Sequence, residues 1–531
     1  MNPVALVLIL ALIALQASAG SGSIDGMVVK AGTVLQQPLE NARLELTDGP
    51  GTPLVARTDS GGTFLFSGLA PGRYRLSVTR DGFLRQEYPK PIVVARGEQI
   101  REIVFRLDPA PTVTGWVQDE YGEATANVLV EALRRSYDAR GNPTLTVAAS
   151  AITDDRGEYR IFWLDPGEYF FYAGPPAPET GEASPARTVA PTYFPGVADP
   201  ADAKAIRLDI GREVHGADFR LRPAALTPVR GYITNAVTGR PVGATIALTR
   251  PAEDPSLSRY RAQSVAVGPH AGEFALSEPV APGSYILSAK STSGEVISAF
   301  QRIQIRALLG IVPPYDVRLA LSPPLAVSGR LVVDSGAGAG VDLRETKISL
   351  TSLDAALPSP ATVRTQPDGQ FRLNAVLPGT YTLAVSQLLD DFYVKAARFG
   401  LTDALEKPLT MERDSGASLQ IVLGSDGGRL HVAVFDRKNQ LHKGSQVVLV
   451  PDLARRYRPD QYCVATAGED GQVSFRGIPP GLYKIFAWES AEPNAYLNTD
   501  YVRGYDDTGV PVRVAPGEND PISVRLIPKE F

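Results

Sequence analysis

Gly62-Thr63-Phe64-Leu65-Phe66-Ser67-Gly68-Leu69-Ala70-Pro71-Gly72-Arg73-Tyr74-Arg75-Leu76 writes out one strand, one tight turn and a second strand in order. Phe64 and Phe66 alternate with polar or smaller residues, so both rings leave one face of a strand. Pro71 presets φ for a chain reversal, Gly72 accepts a positive φ, and the next strand sends Tyr74, Leu76 and Val78 to the same core. This pattern builds a fold and contains no chemistry.

The pattern recurs four times. The copies are Gly157, Tyr159, Pro166, Gly167 and Tyr169; Gly272, Phe274, Pro282, Gly283 and Tyr285; Gly369, Phe371, Pro378, Gly379 and Tyr381; and Gly471, Val473, Pro480, Gly481 and Tyr483. The first Gly stands nine residues before the Pro in four copies and ten in the third, which makes the repeat structural. Asp before the first Gly, as at Asp368 and Asp470, suits a turn that needs a positive φ.

Each copy is bracketed by other strands. A glycine opens a short strand upstream at Gly26, Gly115, Gly231, Gly329 and Gly428. Extended segments such as Phe105-Arg106-Leu107, Phe219-Arg220-Leu221, Val317-Arg318-Leu319 and Val524-Arg525-Leu526 close four of the units. Successive Pro-Gly turns lie 95, 116, 96 and 102 residues apart, room for about seven short strands in two packed sheets. The expected fold class is therefore all-β, a tandem array of five Ig-like or transthyretin-like β-sandwich domains. Expected bounds are 20–109, 110–223, 224–323, 324–424 and 425–531, after a leader at 1–19. The longer second unit is expected to spend its extra residues on a Pro-rich loop from Gly174 to Pro185. Short Pro-bearing linkers such as Pro109 to Pro111 favour an elongated rod.

The chain begins with an apolar run, Val4 to Leu15, and Ala17-Ser18-Ala19, the small residues a signal peptidase requires. Export to the periplasm, cell surface or exterior is the expectation, with no membrane-spanning segment after cleavage. A single cysteine, Cys463, leaves no internal disulfide to form, so each core must hold its own domain. A net charge of −5, with no run of five basic residues, lacks the electrostatic footprint of a nucleic-acid binder.

Gly-x-Phe, then Pro-Gly-x-Tyr nine residues after the Gly, resembles the carboxypeptidase regulatory-like domain. That is a transthyretin-like sandwich related in shape to adhesin B-type repeats and to starch-binding-like folds. The resemblance spans nearly all of the mature chain. Tyr193-Phe194-Pro195-Gly196, with Gly211 and Phe219, is similar to the second unit of multi-domain exported bacterial proteins of this kind. Relatives occur as non-catalytic appendages of metallocarboxypeptidases, as modules of outer-membrane receptors and as tandem arrays. The resemblance implies the array here, without a cofactor and without enzymatic activity, since its motif consists of core and turn positions.

His270-Ala271-Gly272-Glu273 has the spacing of a zinc carboxypeptidase pair, the remote enzymatic reading. Gly272 and Glu273 are nevertheless the third copy's turn glycine and its variable neighbour, and four histidines in all make a three-ligand site a poor expectation. Asp154-Asp155 and Asp506-Asp507 lack the alternating acidic spacing of a calcium loop and read as solvated turns.

Aromatic rings carry the remaining functional signal, because a sugar's flat apolar face stacks on a ring while polar neighbours bond its hydroxyls. Strand parity turns Trp116, Phe170, Tyr172, Tyr232 and Trp488 outward, and Trp163 replaces Gly68, Ala375 and Gly477 at a turn. These six are the candidate ligand-binding residues, with the second unit holding most of them. Packing between domains or under loops is the structural alternative for such rings. The expected function is a non-catalytic binding or scaffold protein with polysaccharide as the leading ligand. Its rival is an accessory subunit docking a surface or outer-membrane protein through exposed strand edges.

Overall fold

The computed structural model describes residues 21–32, 36–174, 187–249, 263–265, 272–277, 279–292, 296–306, 312–334, 341–354, 356–413 and 416–529. The leader, His270 and nearly all of the Gly174–Pro185 loop lie outside the described residues.

One sheet plan repeats along the chain. An opening strand lies between the antiparallel motif strand and a parallel closing strand: Gly22–Lys30 between Thr63–Leu69 and Gln99–Leu107 in the first unit. The strands Thr112–Gln118, Val229–Asn235, Leu325–Val333 and Gly428–Phe435 take the same central place in the others. In the first four units the strand after the Pro-Gly turn crosses to a second sheet, as Gly72–Thr79 does beside Arg43–Thr47; in the fifth, Gly481–Trp488 also pairs with the closing strand Ile522–Ile527, so the two sheets run on into one. Phe64 from one sheet and Tyr74 from the other then share a core. Equivalent pairs, Tyr159 with Tyr169, Phe274 with Tyr285, Phe371 with Tyr381 and Val473 with Tyr483, each build a separate core. The protein is thus a tandem array of β-sandwiches, each with its own buried cluster.

The turn tyrosine does more than fill volume. In all five copies its hydroxyl donates to the carbonyl just before the proline: Tyr74 to Ala70, Tyr169 to Asp165, Tyr285 to Ala281, Tyr381 to Leu377 and Tyr483 to Pro479, at 2.8–2.9 Å. The bond straps the turn to the strand that leaves it. It also satisfies a hydroxyl that burial would otherwise penalise.

The first motif glycine takes φ between 68° and 85° in every copy, as expected. At the Pro-Gly turn only Gly167, Gly283 and Gly379 take a positive φ, near 150°. Gly72 is needed instead for space, since a Cβ there would lie 2.6 Å from the Pro50 ring, whereas at Gly481 it would meet only the movable Arg455 guanidinium.

The opening glycine is a matter of size. A Cβ on Gly26, Gly115, Gly231 or Gly329 would lie 2.0–2.4 Å from a carbonyl of the closing segment (Ile103, Ala217, Val317 or Leu419) and 2.3–2.9 Å from the motif ring. In the fifth unit the residue opposite Val473 is Val432, so Gly428 is not the equivalent position and the expected alignment there is four residues out of register. Where the ring is replaced by valine, the glycine is replaced by valine too.

The described contacts do not support a rod. Arg140 of the second unit donates to Ser352 O of the fourth at 2.7 Å, and Asn498 of the fifth donates to Gly141 O of the second at 2.9 Å. The linkers set the spacing of neighbours, but side chains on an unusually long hairpin and on the insertions of the fifth unit draw distant units together. The fourth and fifth units are also joined directly, by Arg429 Nε on Asp391 Oδ1 at 2.8 Å and by Gly427 N on Asp391 O.

Candidate functional site

Four of the six expected ring positions fall in the second unit, and its two sheets treat them oppositely. Strand Gly167–Gly174 sends Tyr169, Phe171 and Ala173 into the main core, so parity does turn Phe170 and Tyr172 the other way. They are nevertheless buried, under Leu133, Tyr193, Leu145 and Val197, with the Arg135 guanidinium 5.4 Å above the Phe170 ring. Outward does not mean exposed there, because the long hairpin and the segment 193–203 cover that face.

The same correction applies to Trp488. Ile485 and Ala487 enter the fifth core, while Phe486 and Trp488 enter a second cluster with Val448, Val450, Leu497 and Val502. Trp488 stacks on Phe486 at 5.2 Å and meets Tyr501 and Tyr505, and only 1% of its surface is exposed. Phe170, Tyr172 and Trp488 are core residues of the structure and cannot stack on a ligand.

Trp116 stands on the other sheet. Its strand, Thr112–Gln118, runs between Glu158–Ile161 and Glu213–His215, and 55% of Trp116 is open to solvent. Glu158 lies directly opposite it, and its backbone N–H donates to Asp218 Oδ1 at 2.9 Å. Along the same face Thr114 Oγ1 meets His215 Nδ1 at 2.8 Å, and Arg160 pairs with Glu213 at 3.2 Å. These exposed polar contacts add little stability. They surround one flat ring with donors and acceptors that water does not need to leave.

A groove of about 500 Å³ opens beside this face, lined by Gln118, Glu120, Pro195, Asp218, Arg220 and Arg222. Asp218 belongs to both the groove wall and the Trp116 strand contact, which makes ring and groove one surface. Tyr121, 80% exposed, follows the groove residue Glu120 in the turn after Gln118, where strand parity does not reach. The corresponding face of the first unit has a wider depression of about 820 Å³ lined by Asp25, Met27, Arg57, Asp59, Thr63 and Glu102, without an exposed ring.

Tyr232 repeats the Trp116 arrangement in the third unit, opposite Glu273 and beside Arg318, with 38% exposure. Trp163 is 55% exposed at φ 65°, a region that a bulky side chain seldom occupies. It packs edge-on against the exposed Phe162 at 4.6 Å, with its Nε1 close to Gly82 of the first unit. Trp163 lies past the far end of strand Glu158–Ile161 from Trp116, roughly 16 Å along the strand direction, so the two do not form one site.

Other expected positions have plain structural roles. Asp154 Oδ1 accepts from Arg156 N and Glu158 N, spending its carboxylate on its own turn. Asp506 is paired with Lys484 at 3.0 Å. Cys463 packs against the fifth core, and burial pushes its thiol up to about 12. Among the described residues no group of three His, Cys, Asp or Glu is placed to hold a metal.

In sequence, residues 23–108 match the family described as the carboxypeptidase regulatory-like domain. The first unit is thus similar in sequence to a carboxypeptidase regulatory-like domain. The sheet plan of that unit is the plan the other four units repeat. No curated protein matches the chain. Among solved structures, the Bacillus anthracis TIE protein is similar at 9% identity over 76% of this chain and 68% of that one, with a TM-score of 0.17. The minor pilin of Streptococcus agalactiae aligns at 13% identity over 38% of this chain and 95% of its own, with a TM-score of 0.22. The major pilin subunit of Bacillus cereus aligns at 10% over 78% and 99%, with a TM-score of 0.15.

Proposed function

We propose that the chain is an exported, non-catalytic binding and scaffold protein whose second unit carries a carbohydrate-binding face. Its five units divide near residues 109, 223, 323 and 425, as the spacing of the repeats suggests. The leader-like residues 1–19 support export, and among the described residues no helix is long and apolar enough to cross a membrane.

The observation that carries the ligand class is Trp116, one wide ring left bare on a polar sheet face that continues into the groove of Asp218 and Arg220. A sugar ring stacked there would exchange water for an aromatic plane while Glu158, Gln118 and Asp218 accept or share its hydroxyl bonds. Tyr232 offers a smaller copy of the same chemistry. Affinity electrophoresis of the mature protein through gels carrying a panel of polysaccharides tests the reading, with Trp116→Ala, Tyr232→Ala and Trp163→Ala beside the wild type. Retardation on at least one polymer that Trp116→Ala abolishes is expected. Retardation that only Trp163→Ala abolishes would move the site to the junction with the first unit.

Docking of a partner protein is favoured at one place only. Phe162 and Trp163 form a bare aromatic pair on a left-handed turn, the kind of anchor protein interfaces select.

A further inference from the structure

The hairpin of the second unit is longer than its tasks in the sandwich require. Its strands Leu129–Tyr137 and Pro143–Ile152 span 129–152, where the first unit's counterparts span 43–57. Its tip, residues 138–142, is built as a rigid point. The Asp138 carboxylate accepts from Arg140 N at 2.8 Å and from Asn142 N and Nδ2 at 2.9 Å, fixing the turn from within.

That point enters a notch between two units that are far away in sequence. On one side Arg140 Nη1 donates to two successive carbonyls of the fourth unit, Ser352 O at 2.7 Å and Leu353 O at 3.2 Å. On the other side Gly141, at φ 79°, lies flat on the fifth unit: a Cβ there would be 2.6 Å from Leu497 C and 2.8 Å from Asn498 N. Asn498 holds both sides of this contact. Its Nδ2 donates to Gly141 O at 2.9 Å, and its Oδ1 accepts from Tyr501 N at 2.9 Å, capping the short helix Thr499–Arg503. Behind the tip, the Tyr137 and Tyr501 rings meet edge to face at 5.8 Å, and Arg134 lies 3.5 Å from Glu492.

From this convergence we infer that the hairpin is an intrachain clasp: its tip joins the second unit to the fourth and fifth and closes the five-unit chain on itself. The contact is small, but a tether turns its formation into an intramolecular event with a high effective concentration, so a few well-placed bonds suffice. Closure leaves the third unit as the part of the chain that loops between the clasped ones.

Small-angle scattering of the mature protein tests the clasp with two variants. Arg140→Ala removes both bonds to the fourth unit without touching the backbone, and Gly141→Val drives a side chain into Leu497 and Asn498. The wild type is expected nearer the radius of gyration of a single globule of this length, roughly 24 Å, than the roughly 50 Å of five domains in line. Gly141→Val should move it toward the larger value, and Arg140→Ala should move it part of the way. For Arg140→Ala, circular dichroism and the main thermal transition should stay those of the wild type, since the Arg140 side chain lies outside every core. A wild type near 50 Å overturns the clasp, and so does a compact wild type whose dimensions neither variant changes.

Discussion

Trp116 and Trp488 both point away from the main core of their sandwich, yet one is 55% exposed and the other 1%. The difference lies in the segments packed over each strand. Beyond Trp488 the chain inserts the segment from Ala491 to Tyr505, whose Leu497, Tyr501, Val502 and Tyr505 close over the outer face and make a second core. Among the described residues nothing comparable covers the strand Thr112–Gln118, where the neighbours of Trp116 are Glu158, Asp218 and the polar groove. Parity decides which side of a sheet a ring takes; whether that side is wet is decided by insertions that carry no period.

Removing each ring should separate the two cases sharply. Trp488→Ala empties a packed site and should cost the fifth unit about 3–5 kcal/mol. Thermal unfolding would show it as an early transition; an unchanged melting profile would mean the second core carries no weight. The volume match across the repeats is the next largest effect. Gly329→Val forces a Cβ toward Phe371 and Leu419 O and should destabilise the fourth unit by about 3 kcal/mol. Adding Phe371→Val, which copies the Val432 and Val473 pair of the fifth unit, should restore part of that loss. No recovery in the double variant would show that the ring is not the partner of the glycine.

Tyr381→Phe deletes the hydroxyl that straps the fourth Pro-Gly turn and should cost about 1 kcal/mol in denaturant unfolding. A smaller effect is expected at the joint of the fourth and fifth units. The Arg429 hydrogen bond holds the Asp391 carboxyl below its usual 3.8, outweighing burial, so the bond's contribution is present above about pH 4 and is lost as pH falls through the depressed value. Asp391→Asn keeps a residue that tolerates the φ of 70° found there while removing the charge. The difference in melting temperature between wild type and Asp391→Asn should therefore shrink between pH 6 and pH 3; a difference that stays constant would deny the ion pair any role.

Much of this fold is legible in the sequence because its motif residues each answer to one local requirement. Phe64, Pro71 and Tyr74 state a strand, a turn and a strand, and the copies repeat that statement at a domain's spacing. The tyrosine hydroxyl bond is not legible, because it spans four residues of a turn and leaves no periodic trace. The opening position of the fifth unit is misplaced at Gly428 when a glycine is sought, whereas the requirement is the summed volume of two facing residues, met there by Val432 and Val473. Phe170 and Tyr172 take the expected side of their strand and are still buried, since Leu133 and Tyr193 stand directly opposite them on the two paired strands and share that face with Leu145 and Val197, a clustering that the strand's own parity does not reveal. The clasp depends on Arg140, Gly141 and Asn498, an ordinary turn and an ordinary helix cap until the fold brings them together.

The most direct test of the proposed site compares polysaccharide retardation and melting temperature for Trp116→Ala and the wild type. Trp116→Ala should keep stability within about 0.5 kcal/mol of the wild type, as an exposed position allows, and lose retardation on the polymer that slows the parent. A variant that is equally stable and equally retarded, or a wild type that no polymer slows, would contradict a carbohydrate-binding face on the second unit.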